Sequence, residues 1–341
     1  MRTLFVFLLL LSVFPVLLSQ TIDFPEQPAT GPGGMEYVHE ELTFQDFAHK
    51  PDGYWLFEPA APVPDSAHVI VFVHGYGGYN PMVYGAWIRH LVRKGNIVIY
   101  PRYQRNMVFP RPNKFADNVA RAIADARQEL ENGDHVKPIW EDFAMVGHSY
   151  GGVIISDLLI NSESYGIPAP DAAMICSSGT SWLKGGRLEN YGDMPADVNL
   201  VIFVSENDGV VGEDFSRKVF DEAVNTPSRI MLIQSADSHG DQAILDGHNQ
   251  PYALDEAFDS GVRNYTAKKA LRIASIDPVD YNGYWKVFDT LVSCTRSGEF
   301  CHEAFCACPD QIELGNWSDG TPIKELEAIL PAPSGESQVR N

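Results

Sequence analysis

Residues 142–152 read Asp142-Phe143-Ala144-Met145-Val146-Gly147-His148-Ser149-Tyr150-Gly151-Gly152. The run from Asp142 to Gly147 is short and apolar enough to be a buried strand, and Gly151 to Leu159 continues as an apolar helix candidate. Between them, Gly147-His148-Ser149-Tyr150-Gly151 places a serine on the turn from strand to helix. Small neighbours on both sides are what such a turn requires if it is to lift a hydroxyl out of the sheet. Ser149 is therefore the candidate nucleophile.

Working outward, the same alternation repeats. Strands are expected at His68 to His74, Asn96 to Tyr100, Ala172 to Cys176, Asn199 to Val204 and Arg229 to Gln234. Helices are expected at Pro81 to Lys94, Lys114 to Glu131 and Glu213 to Val224. In the second helix Phe115, Val119, Ile123 and Leu130 recur at helical spacing. Near-continuous apolar strands separated by helices specify an α/β fold: a mostly parallel central sheet covered by helices on both faces.

This alternation gives a core over 67–260. Residues 20–66 form an N-terminal extension whose pieces at Glu41 to Phe47 and Gly53 to Phe57 suit antiparallel edge strands. Residues 261–341 form a C-terminal extension with an aromatic helical stretch (Tyr281, Tyr284, Trp285, Phe288), a cysteine cluster and a polar tail.

The chain has 341 residues, 45% apolar and 21% charged, which is ordinary globular composition. Leu4 to Leu18 carries no charge, follows Arg2 and precedes the small residue Ser19. At about 15 residues it is short for a membrane span and suits a signal peptide over 1–19. The expected protein is secreted and has no stable membrane insertion once the leader is removed. Loss of Arg2 leaves 24 basic against 45 acidic residues. A surface that acidic, without a basic stripe, argues against nucleic-acid partners.

In a secretory compartment Cys294, Cys301, Cys306 and Cys308 are disulfide candidates, with three possible pairings. A zinc site including His302 is the alternative, although the gaps do not match C-x-x-C spacing. Cys176, inside a strand-like run, is expected to be a buried thiol. Asn264-Tyr265-Thr266 and Asn316-Trp317-Ser318 are glycosylation candidates.

A serine hydroxyl needs a histidine to take its proton and an acid to orient that histidine. Asp208, in Ser205-Glu206-Asn207-Asp208-Gly209, follows a strand end and is the preferred acid; Glu206 and Asp214 compete with it. For the base, His239 lies five residues after the last strand and is preferred, with His248 as the alternative and His302 a distant third. An oxyanion would need two backbone donors. The glycine-rich turn His74-Gly75-Tyr76-Gly77-Gly78 and the serine turn suggest the N–H groups of Tyr76 and Tyr150. The first turn fails as a dinucleotide fingerprint, because Asn80 stands where the third glycine belongs, and the chain has no GK[ST] or HExxH motif.

With these residues in place, the region from about 66 to 250 resembles the α/β-hydrolase superfamily: the HG-x-GG turn, GHSYGG, the END-x-VV acid loop and a histidine after the last strand. The spacing to Ser238-His239 is similar to the cutinase and polyester-hydrolase branch. Flanking segments such as Gly31-Pro32-Gly33-Gly34, Asp280 to Lys286 and Asn316 to Gly320 resemble a poorly characterised group of α/β-hydrolases. The resemblance implies a serine carboxylic-ester hydrolase, esterase- or lipase-like, that forms an acyl-enzyme on Ser149. It implies a small-molecule, lipid or polymer ester as substrate, and neither metal nor organic cofactor. A serine exopeptidase or amidase, which would use the same groups, and a non-catalytic binding protein on the same fold are the competing readings.

Overall fold

A computed structural model describes residues 21–332. The leader at 1–19 and residues 333–341 of the polar tail lie outside the described residues. Eleven strands are found among the described residues. They are β1 (Glu41–Asp46), β2 (Tyr54–Ala60), β3 (Ser66–Val73), β4 (Asn96–Pro101), β5 (Lys137–His148), β6 (Ala172–Cys176), β7 (Asn199–Ser205), β8 (Arg229–Gln234), β9 (Asp237–His239), β10 (Gln242–Ile244) and β11 (Glu327–Ile329). Nine of them form one sheet in the order β1-β2-β4-β3-β5-β6-β7-β8-β11, while β9 and β10 form a separate hairpin.

The central strands β4, β3, β5, β6, β7 and β8 pair in parallel. Antiparallel pairing is confined to the margins, where β1 and β2 extend one edge and β11 caps the other on β8. The protein is thus mixed α/β with a large, mostly parallel sheet.

Alternating side chains on each strand feed two cores. On β3, Ile70 and Phe72 face one core and Val69, Val71 and Val73 the other; on β7, Val201 and Phe203 oppose Leu200, Ile202 and Val204. The first core is closed by α1 (Gly85–Arg93), through Trp87, Ile88 and Leu91. The second is closed by α2 (Phe115–Asn132), α3 (Tyr150–Tyr165) and α4 (Asp214–Glu222). In α2 the stripe Phe115, Val119, Ile123 and Leu130 is buried in that second core, as its spacing requires. Two apolar sheet faces need two covering layers, so the strands carry little polar alternation.

Two further helices, α5 (Tyr265–Ile273) and α6 (Lys286–Ser297), arise from the segment read as a C-terminal extension. They pack on the first core through Ala267, Ala270, Phe288 and Leu291. A π-helical turn over Val279–Trp285 leads into α6. With β11 joined to the sheet, this segment contributes to the first core.

Cys294 is bonded to Cys301 and Cys306 to Cys308, while Cys176 is a buried free thiol on β6. No helix among the described residues is long and apolar enough to cross a membrane.

Candidate active site

β5 ends at His148 and α3 begins at Tyr150, leaving Ser149 alone on the turn with φ 57° and ψ −121°. That conformation is costly for a residue with a Cβ and persists only where the surroundings enforce it. Here the Ser149 N–H donates to the Cys176 carbonyl at 2.8 Å, and its carbonyl accepts from Gly152 N at 3.1 Å. The turn is also pressed against β3: a Cβ on Gly151 would run into the Val73 carbonyl oxygen. Glycine is required there for space, which explains its place in the motif.

Asp208 follows β7 in the loop expected from the sequence. Its Oδ1 accepts from the N–H groups of Val210 at 2.9 Å and Val211 at 3.0 Å, fixing the carboxylate. Its Oδ2 lies 2.7 Å from His248 Nδ1, and His248 Nε2 lies 2.9 Å from Ser149 Oγ. Burial by itself would raise the Asp208 pKa. The hydrogen bond from His248, together with the Val211 and Val210 amides, outweighs it and holds the carboxyl below its ordinary range. Asp208 is therefore an anion, to which His248 donates Nδ1–H. That tautomer leaves Nε2 free to accept the Ser149 proton.

The preference for His239 as the base is corrected by this geometry. After β8 the chain makes the hairpin of β9 and β10, pairing His239 with Gln242. The hairpin turns His239 away, so that its Nε2 meets Asp319 Oδ2 at 2.7 Å. The chain returns to the sheet edge only with residues 245–253. There Asp246 Oδ2 accepts from Asn207 Nδ2 at 2.6 Å, tying the histidine loop to the acid loop. Neither competing acid, Glu206 or Asp214, pairs with His248; Glu206 faces Lys324 and Asp214 sits in the first turn of α4.

His302 is also removed from Ser149. It gathers with Cys306 and Cys308, their potential ligand atoms within 4.8 Å of one another. Because those two sulfurs are joined to each other, they do not offer the pair of thiolates a zinc site would use.

His148, the residue before the serine, was not singled out by the sequence. Burial pushes its imidazole down to about 3, so the ring is neutral. Its Nε2 faces the His248 backbone carbonyl at 2.7 Å, an acceptor, and so carries the hydrogen. Nδ1 must then accept, and its partner at 2.8 Å is Tyr84 Oη. The Tyr84 hydroxyl, kept protonated by burial, in turn accepts from Gly75 N–H at 3.1 Å. One directed chain of hydrogen bonds thus runs from the glycine-rich turn to the main chain of His248.

The neighbouring amides in that turn are occupied: Gly75 N–H by Tyr84, and Gly77 N–H by Gln104 Oε1 at 2.7 Å. Among the described residues, no protein acceptor takes the Tyr76 N–H or the Tyr150 N–H. Tyr150 is the covalent neighbour of Ser149, and Gly75, the residue before Tyr76, lies so close that a Cβ on it would be 3.1 Å from Ser149 Cβ. The Tyr150 amide is also the first of α3, where the helix dipole favours negative charge. Tyr76 and Tyr150 thus line the same cavity as Ser149, with both amides free of protein acceptors among the described residues.

Ser149, His248, Tyr76 and Tyr150 open on a cavity of about 370 Å³ whose walls include Met107, Trp182, Leu183 and Tyr252. The Tyr150 hydroxyl donates to the Gly185 carbonyl at 2.7 Å and the Tyr76 hydroxyl to the Met107 carbonyl at 2.7 Å, so both rings are held as wall. Of the two glycosylation candidates, Asn316 is exposed. Asn264 instead caps α5 by accepting from Ala267 N at 2.8 Å and spends its Nδ2 on the Gly77 carbonyl at 2.6 Å.

Comparison with protein-family models gives no match, and comparison with curated proteins gives none either.

Proposed function

We propose that this chain is a secreted serine hydrolase of the α/β-hydrolase type that cleaves carboxylic esters. The observation that carries the reading is His248, bridging Ser149 Oγ at 2.9 Å and Asp208 Oδ2 at 2.7 Å beside two available backbone amides. A hydrogen-bonded Ser-His-Asp chain of this polarity, at a strained strand-to-helix turn, is the arrangement nucleophilic acyl transfer requires.

In this reading Ser149 Oγ attacks the ester carbonyl as its proton passes to His248 Nε2. The oxyanion is received by the N–H groups of Tyr76 and Tyr150. His248 then gives the proton to the leaving alcohol, and water, activated by the same nitrogen, hydrolyses the acyl-enzyme. Asp208 remains a carboxylate throughout and holds the imidazole in the productive tautomer. The Tyr84-His148 chain fixes the loop that carries the base. The cavity walls accept the acyl or alcohol portion of a small, lipid or polymer ester. The reaction in this form uses only side chains, backbone amides and water.

The test is labelling with a fluorophosphonate probe, coupled to turnover of short-chain nitrophenyl esters. Wild type should label at Ser149 and turn over; Ser149→Ala should fold, fail to label and lose turnover. Equal labelling of the alanine variant, or an inert wild type, would overturn the reading.

A further inference from the structure

One wall of the Ser149 cavity carries a charge that acyl transfer does not use. Lys269 lines the cavity together with Tyr265 and Thr266, its partners at i−4 and i−3 on α5, so one helical face presents all three. The helix is pinned to the glycine-rich turn by Asn264 on the Gly77 carbonyl and by Thr266 Oγ1, which donates to the Tyr76 carbonyl at 3.1 Å. Ala267 and Ala270 bury the other side. Lys269 is thereby held on the same rigid unit as the amide donor of Tyr76.

What sets Lys269 apart is its place on the wall of the Ser149 cavity, where it is the one Lys or Arg among the lining residues. Lys114, Lys218 and Lys324 each pair with a carboxylate. Half-buried Lys269 forms no ion pair and no side-chain hydrogen bond among the described residues, and no Asp or Glu lines the cavity.

We propose that Lys269 receives an ionised carboxylate on the substrate, so that the site selects half-esters of dicarboxylic acids over neutral esters of the same length. This rests on the ester-hydrolase reading above. An ammonium has three donors and no acceptor, and a carboxylate is the complementary group. The acidic surface repels such a substrate only weakly beyond about 8 Å at physiological salt. The selectivity therefore arises at contact, where a charge-assisted hydrogen bond supports a preference of roughly ten- to a hundredfold. The neighbouring Trp182 and Tyr252 rings suit the methylene chain between the two carboxyl groups.

The test compares monoethyl adipate with ethyl hexanoate, which share a six-carbon acyl chain and differ at its far end, by ethanol release. In wild type the ratio of their kcat/KM values should exceed about ten, favouring the half-ester. Lys269→Met should reduce that ratio about tenfold or more, Lys269→Arg should retain it and Lys269→Glu should bring it below one. Lys268→Glu, on the same helix but outside the cavity, should leave the ratio unchanged, separating contact from general field. Fluorophosphonate labelling reports the fold and Ser149 in each variant. A labelled, active wild type with a ratio near one, or a ratio unmoved by Lys269→Met, would overturn the Lys269 assignment alone. A wild type that neither labels nor hydrolyses either ester would overturn the hydrolase reading and this inference with it.

Discussion

His148 Nε2 lies 2.7 Å from the backbone carbonyl oxygen of His248, so the residue before the serine grips the main chain of the histidine that faces that serine. The grip is directional, because a neutral imidazole has one donor and one acceptor and Tyr84 Oη occupies the acceptor. Tyr84→Phe removes the group that both satisfies His148 Nδ1 and receives Gly75 N–H. Each buried group left unpaired costs about 1–3 kcal/mol. We expect the variant to fold with a lower Tm and to lose about tenfold in kcat with KM within about twofold, since alignment of the base is disturbed and the cavity is not. Steady-state kinetics check this, and a rise in KM at constant kcat would contradict the positioning role.

The two candidate bases, His239 and His248, should separate cleanly. His248→Ala removes the bridge between Ser149 and Asp208 and should lower kcat/KM by at least about 10³-fold. His239→Ala removes a contact to Asp319 on a hairpin outside that bridge, and activity should stay within about twofold. Parallel rate measurements on one nitrophenyl ester decide it; the opposite ranking would place the chemistry at the hairpin.

Asp277 and Asp280 supply a pH test of the fold. Burial raises Asp277 to about 6 and lifts Asp280 well above the carboxylate range, with the Asp277 charge adding to the latter. A carboxyl whose folded pKa is raised binds its proton more tightly when folded. It therefore weakens stability progressively as pH rises from the unfolded value near 4 towards the folded one, and the penalty is relieved as pH falls. Asp280→Asn keeps an oxygen for the Asp277 N–H, which Oδ2 now accepts at 2.9 Å, and abolishes that titration. Its stability relative to wild type should be greater at pH 8 than at pH 5 by about 1 kcal/mol or more. Denaturant unfolding at both values measures it, and an equal effect at the two would rule out the linkage.

Much of the architecture was legible because it is local. The apolar runs around Val71, Val146, Val201 and Met231 had to be buried on both faces. The helical stripe of Phe115, Val119, Ile123 and Leu130 had to cover one of them. The serine turn was equally plain, since glycines on either side of Ser149, between an apolar strand and an apolar helix, form a signal within a few residues of one another. Asp208 could be found from its place after a strand end, because parallel strands gather their following loops at one edge.

The sequence by itself therefore determined the parallel α/β frame and the serine turn, and offered Asp208 after β7 as the preferred acid beside Glu206 and Asp214. Only the tertiary structure chose between His239 and His248, brought Tyr84 to His148 and placed Lys269 of α5 on the cavity wall. The physical reason is range. Strand, helix and tight turn are set by neighbouring residues through backbone sterics and apolar periodicity. The path of the loop after β8 and the docking of α5 depend on contacts between segments as far apart as Asn264 and Gly77, which no local pattern encodes.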